Sequence, residues 1–519
     1  GGTLTEGIVG NPRFINPVLA LSEADKNLSS LVYSGLVRLT SEGNVENDLA
    51  EVSVSENRLT YTASILEGAI FHDGSPVTAD DVIFTLSKIT DPLIKSPRRG
   101  AWDGVTVEKL DDKTVAFTLK QAYTPFIYNL TLGILPKHIW KNVTADEFSF
   151  SQFNTLPIGS GPYEVNRVER NSGGIPNHYL LTAFTQAVGK KPFIENLVFK
   201  FYPSEETLIE AYSKGEVESI SGISPEKIGE LKENSSRVIA SPLPRVFAVF
   251  FNQSHSKVLL NKEVRQALEL ASPKEEIIEN VLGGYGEPIS SPFPAGSYAW
   301  ATDQSEEAFE ERLTKAKELL AKTGWIPNKD SGILEKKSGS SNISLSFSIS
   351  TGDAPELGEV AETLVNSWRQ LGADVQVLTY ETGELNQSVI RPREFDALLF
   401  GVVIGRTTGF DLYPFWHSSQ RTDPGLNIAL YANSRADKLL DVARTAENFE
   451  TIEKNYKEFA LEVKSDVPAA FLYTPSFLYL IPKKVEAVNL ESLAVSQDRF
   501  LGVRDWYIET DKVWKIFVN

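Results

Sequence analysis

Residues 66–86 read LEGAIFHDGSPVTADDVIFTL, in which an apolar run, a tight polar turn and a helix start follow one another with no obvious chemistry of their own. Phe71 closes a strand, Asp73 and Gly74 supply a turn in which glycine can take a positive φ, and Pro76 stiffens the exit. Thr78 reads as an N-cap, with Asp80 and Asp81 in the first helical turn, where carboxylates favour the positive end of the helix dipole. Val82, Phe84 and Leu86 follow as packing positions.

Outward from this segment, a length of 519 residues exceeds one ordinary domain several-fold, so about two or three compact units with sizeable cores are expected. A formal charge of -18 leaves no basic stripe to neutralise phosphates and argues against a nucleic-acid partner. The absence of cysteine removes disulfides, thiol catalysis and thiolate metal sites together. With no methionine and a start at Gly1-Gly2-Thr3, the chain reads as a mature or truncated form. A removed signal peptide, lipoprotein anchor or membrane helix would leave such a start, and no apolar run of about 18 residues remains.

Along the chain, strand patterns alternate with helical ones. Thr3 to Val9, Thr60 to Ile65, Thr114 to Leu119 and the alternating run NLVFKFY at Asn196 to Tyr202 read as strands. Glu23 to Tyr33 and Ser204 to Lys214 have helical spacing. The order predicts mixed α/β sheets, not a bundle or a sandwich.

The 66–86 segment resembles the signature region of the solute-binding proteins of peptide-type ABC importers, the family of dipeptide, oligopeptide and nickel binders. IGSGPYEV at 158–165 is similar to the family's glycine-rich segment where the chain leaves the second lobe. VRQALELASPKEEIIENVLGGYGE at 264–287 is similar to its helix pair, with Arg265, Ala267 and Leu268 in the expected places. Pro273 replaces the usual acidic residue before Lys274, a departure that touches a helix start and not the ligand site. AKELLAKTGW at 316–325, VAETLVNSWRQLGADVQV at 360–377 and FDALLFGVVIGRTTGFDLYPFW at 395–416 continue the match, the last in the region that enters the binding cleft.

The resemblance implies an α/β, two-lobed periplasmic-binding-protein fold of class II type, with mixed sheets, a two-strand hinge and an extra domain inserted in lobe I. Lobe I would comprise 1–39, 159–250 and 477–519, the extra domain 40–158 and lobe II 251–476. Ser241-Pro-Leu-Pro244 precedes the apolar run Val246 to Phe251, and Tyr473 to Ile481 is its late partner, which makes a plausible pair of crossing strands. The implied protein is not an enzyme and carries no cofactor. It is a monomeric, extracytoplasmic receptor that captures short peptides between its lobes and delivers them to a membrane ABC permease by hinge closure.

Candidate ligand contacts follow from the same resemblance, each beside a plainer role. Tyr33 matches a position lining the cleft in relatives, or packs a core. Trp102, in RRGAWDG, is a stacking wall or an aromatic plug. Asn252 holds peptide backbone or caps a turn. Arg406 meets a ligand carboxylate or lies on the surface. Asp411 pairs with a peptide α-ammonium group, or is a solvated loop carboxylate or cap. Tyr413 and Trp416 present the same choice as Trp102, beside a Gly-rich loop.

Other chemistries have less support. His72, His138, His178, His255 and His417 are scattered, with no metal-ligand spacing, and adjacent His72 and Asp73 should point apart in their turn. No nucleophile elbow, P-loop or dinucleotide fingerprint occurs. Carboxylates are too numerous to single out a glycosidase pair about 5 Å apart. The alternatives are a binder of another solute, such as an oligosaccharide or metal chelate, a secreted hydrolase using cleft carboxylates, and a sensory or structural surface protein.

Overall fold

The computed structural model describes residues 1–231, 235–297, 307–405 and 411–509. The chain divides into two compact units, Gly1–Ser241 with Phe477–Asn519, and Pro242–Ser476, so it passes from one to the other at 241/242 and again at 476/477.

In the first unit strand Thr3–Val9 lies parallel to Asn196–Tyr202 on one side and to Ser219–Ser221 on the other. Beyond Asn196–Tyr202 follow the antiparallel strands Pro176–Ala183 and Tyr163–Arg170, and Ser219–Ser221 pairs with Tyr479 and Leu480. The run NLVFKFY alternates as expected, burying Leu197, Phe199 and Phe201. A second, four-stranded antiparallel sheet has the order Ala50–Val54, Thr60–Ile65, Thr114–Thr118, Thr106–Asp111.

The 66–86 segment folds beside that second sheet. Ile70 and Pro76 form an isolated bridge, Gly74 turns the chain with φ +86, and helix Ala79–Thr90 begins after Thr78. The Thr78 N–H donates to Asp81 Oδ2 at 2.8 Å, while Asp81 Oδ1 accepts the Lys137 N–H at 2.8 Å. Asp81 thus ties two helix starts together, beyond any favourable place on the dipole. Val82, Thr85, Leu86 and Ile89 are buried, but Phe84 is only half-buried, with Lys88 Nζ 5.1 Å from its ring. The spacing explains the difference: at about 100° per residue, position 84 lies about 200° from 82, whereas 85, 86 and 89 return to the same face.

The second unit is built on a mixed sheet, Asp374–Tyr380, Ser346–Gly352, Ala397–Val403, Arg245–Phe251 and the first part of Ala469–Pro482. On sequence alone most of Arg245–Phe251 ends lobe I; in the structure this strand pairs on both sides inside the second unit. Its side chains serve two cores. Val246, Ala248 and Phe250 pack with Trp416 and Phe459, and Val249 and Phe251 pack with Ala267, Leu268 and Trp368. Burial on both faces is why the strand reads as an unbroken apolar run.

Arg265 is buried in this unit, and among the described residues no carboxylate is bonded to its guanidinium. Its Nε donates to Val467 O, Nη2 to Asp466 O, and Nη1 to Leu259 O and Leu260 O, each at 3.0 Å. It thereby caps helix Phe449–Asp466, whose C-cap residue, Val467, has φ +49. At Pro273 the following helix, Lys274–Asn280, starts without a side-chain cap.

Candidate functional site

In the first unit, the Gly-rich segment at 158–165 runs against the end of helix Glu23–Val32. A Cβ on Gly159 would lie 2.1 Å from Val32 O, and one on Gly161 would lie 2.5 Å from Leu31 O. Glycine is required here by close backbone approach, which the bond from Gly161 N–H to Val32 O at 2.8 Å makes explicit. Tyr33 follows directly and is buried; its hydroxyl has no partner among the described residues, and burial pushes its phenol pKa up.

His72, from the turn of the 66–86 segment, clamps this region. Its own N–H donates to Gly159 O at 2.8 Å, Nδ1 accepts the Gly159 N–H at 3.3 Å, and Nε2 faces Gly161 O at 3.1 Å. That pattern fits a neutral ring with its proton on Nε2. Burial lowers its pKa to about 4, partly offset by the bond to Gly161 and the nearby Asp73 charge. Asp73 turns the other way, to His138 Nε2 at 2.6 Å.

Because the folded state disfavours charged His72, its contribution to stability is complete above the unfolded pKa of about 6.5 and is lost as pH falls towards about 4. The expected loss is on the order of 2 kcal/mol in urea unfolding between pH 7 and pH 4. His72→Gln should show a smaller pH-dependent loss; an identical pH profile would count against the clamp.

Trp102 is buried in the apolar cluster over the four-stranded sheet, its ring 5.7 Å from Phe126 and 6.0 Å from Phe117. This is the plug arrangement, and it leaves no face for a ligand to stack on.

In the second unit, Arg406 lies outside the described residues. Asp411 is 12% exposed at its side chain. Oδ1 accepts the Tyr413 N–H at 3.1 Å, and Oδ2 accepts the Arg444 Nε–H at 3.1 Å, with Arg444 Nη2 at ion-pair distance, 3.0 Å, from the same oxygen. Burial raises its carboxyl pKa, and the Arg444 charge opposes that rise. The Arg444 guanidinium lies 4.1 Å from the Tyr413 ring centre, and the His417 ring stacks on the same tyrosine at 4.2 Å and 19°. With an arginine and an imidazole both stacked on it, Tyr413 offers no free broad face.

Trp416 belongs to the core beneath, 5.8 Å from Tyr431, 5.9 Å from Phe471 and 6.1 Å from Phe250. Asn252 is likewise enclosed. Its Nδ2 donates to Arg393 O at 2.8 Å, and Oδ1 accepts the N–H groups of Ser254 and His255 at 3.1 and 3.2 Å, which is the turn-capping arrangement. The structure therefore brings Asp411 and Tyr413 together, and gives Trp102, Asn252 and Trp416 packing or capping roles. Sequence reasoning missed Arg444 and weighed His72 only as a metal ligand or a partner of Asp73, because neither meets its actual partners at any regular local spacing.

One contact chain bears on hydrolysis. Ser419 Oγ lies 2.7 Å from His417 Nδ1, and Asp441 Oδ1 lies 3.3 Å from His417 Nε2. The same Nδ1 also accepts the Ser419 N–H at 3.1 Å, so this is a local turn bond and not a base held toward a nucleophile. Among the described residues no group of three or more His, Asp or Glu is placed to hold a metal ion, and no helix is long and apolar enough to cross a membrane.

Comparison with known proteins gives a consistent picture. The family described as bacterial extracellular solute-binding proteins, family 5 middle, matches residues 44–423. The oligopeptide-binding protein AppA of Bacillus subtilis is 28% identical over 493 residues, spanning 94% of this chain and 88% of that protein. The solved structure of AppA from Bacillus subtilis in complex with a nonapeptide has a TM-score of 0.67 at 27% identity, covering 98% of this chain and 99% of that one. NikZ from Campylobacter jejuni in complex with Ni(L-His) has a TM-score of 0.70 at 25% identity, covering 97% and 99%.

Proposed function

We propose, from the premise that this chain belongs to family 5 of the bacterial extracellular solute-binding proteins, which are binding proteins and not enzymes, that it captures short peptides outside the cytoplasm for delivery to a membrane ABC permease. The observation that carries this reading is the match along almost the whole chain to an oligopeptide-binding protein whose structure holds a nonapeptide. An extended peptide bonded through its backbone, as an added strand, needs no exposed aromatic face. Rearranging waters in the side-chain pockets would let different residues be accepted at small cost.

The reading includes closure about the two chain crossings at 241/242 and 476/477, driven by a ligand that binds the closed form better than the open one. It also includes action as a monomer, anchoring at the membrane, and an extra domain at 40–158. The separate four-stranded sheet built from residues 50–118 supports that last division. Among the candidate contacts we retain Asp411 as the partner of a peptide α-ammonium group, supported by a carboxylate largely withdrawn from water. Arg406 is retained for a ligand carboxylate, whereas the burial of Tyr33 favours its core-packing role over a place in the cleft lining. Trp102, Asn252, Tyr413 and Trp416 would support the site without touching ligand.

Two alternatives fare differently. An oligosaccharide binder would want open aromatic faces, and Trp102, Tyr413 and Trp416 all have theirs occupied. A metal-chelate binder is favoured by the similarity to NikZ in complex with Ni(L-His). Native mass spectrometry of the purified protein, before and after denaturation, separates them. A heterogeneous set of small peptides is the expected release, whereas a single metal chelate or sugar would overturn the peptide reading.

A further inference from the structure

We propose that Arg444 is a displaceable resident counter-ion of Asp411, so that a ligand ammonium binds there by exchange with the guanidinium and Arg444 sets how strongly a free amine is preferred. The inference rests on the reading of Asp411 as the amine partner of a peptide ligand, and it concerns what that site does while empty.

The two ends of the ion pair differ in kind. The Asp411 side chain is 12% exposed and the Arg444 side chain 42% exposed. A carboxylate so withdrawn from water is disfavoured without a cation, so the empty site needs one. Arg444 supplies it from the last turn of helix Ser434–Arg444, through Nε at 3.1 Å and Nη2 at 3.0 Å. Both nitrogens face the same oxygen, Oδ2, with only Nε donating a hydrogen bond to it, while Oδ1 is held by the Tyr413 N–H, so the pair lacks the parallel two-oxygen geometry of the strongest arginine–carboxylate contacts.

Leaving is easier for the arginine than for the aspartate. Its long side chain already stands partly in water, and its guanidinium lies 4.1 Å from the Tyr413 ring, a contact that survives small movements off the carboxylate. Exchange of one cation for another keeps the charge of the site constant. A ligand ammonium therefore gains only the difference between its own pair with Asp411 and the pair it displaces. Removing the resident cation should enlarge that difference.

The test is calorimetric titration of the full chain, stripped of bound ligand, with triglycine, tri-alanine and penta-alanine, each as the free amine and as the N-acetyl form. Arg444→Gln is expected to tighten binding of free-amine peptides about three- to tenfold and to leave the N-acetyl forms unchanged. Arg444→Lys, which keeps a cation in reach, should hold the wild-type ratio between the two forms. If Arg444→Gln shifts both forms equally, or neither, or if Arg444→Lys behaves as Arg444→Gln does, the exchange is overturned while peptide binding stands. If the wild-type protein binds neither form of any peptide, the peptide reading falls and the exchange with it.

Discussion

Arg499→Ala is expected to destabilise the first unit by about 3 to 5 kcal/mol, because it strands a buried carboxylate. The Arg499 and Glu6 side chains are 0% and 2% exposed, with Arg499 Nη2 donating to Glu6 Oε2 at 2.6 Å. Ser219 Oγ donates to Glu6 Oε1 at 2.7 Å, and the Tyr479 hydroxyl bonds the same oxygen. Nη1 of the arginine continues the network to Asn27 Oδ1 at 2.6 Å and Ser496 O at 2.7 Å. Truncation removes two carbonyl-type partners' donors and leaves Glu6 charged, dry and without its cation. Urea unfolding followed by fluorescence should show the loss, and Glu6→Gln with Arg499→Met together should recover much of it, since no unpaired charge then remains. A loss for Arg499→Ala below about 1 kcal/mol would mean the pair is reached by water in solution.

Arg265→Ala should cost about 3 kcal/mol, by a different route. No charge partner is stranded; four carbonyl oxygens, those of Leu259, Leu260, Asp466 and Val467, lose their donors at once. Two of them belong to the end of helix Phe449–Asp466, where carbonyls have no partner within the helix. Arg265→Lys should recover less than half, because one ammonium on a flexible stem cannot meet acceptors spread around a planar fork. Thermal unfolding gives the ranking, and amide exchange in 449–466 should quicken more than elsewhere. A lysine variant as stable as the parent would remove the geometric part of the explanation.

Much of the fold was legible because it depends on local patterns. Strands Thr3–Val9, Thr60–Ile65 and Asn196–Tyr202 carry alternation or β-branched runs bounded by turn residues, and their limits match the structure. The turn at Asp73-Gly74 and the helix start after Thr78 were equally plain. Phe84 was misplaced by counting in twos along a helix.

The site was far less legible. Asp411 meets Arg444 across 33 positions, and His72 reaches Gly159 and Gly161 across 87 and 89. Neither distance has a periodic signature, and an aromatic residue in a loop looks the same in sequence whether its ring faces water or, like Trp416, a core. The Gly-rich 158–165 segment resembled a family feature without revealing its reason, which is the carbonyl of Val32 pressed against it.

The long strand Ala469–Pro482 has a consequence for the order of assembly during synthesis. Everything the second unit needs lies between Pro242 and Ser476, so it can close as soon as that stretch is made. The first unit, although it begins earlier, must wait: Ser219–Ser221 has no partner on one side until Tyr479 and Leu480 arrive, and Glu6 stays without its arginine for 493 residues. The part of the protein translated first is thus the part that finishes last, and a released chain ending at Ser476 would hold one complete unit and one open sheet edge.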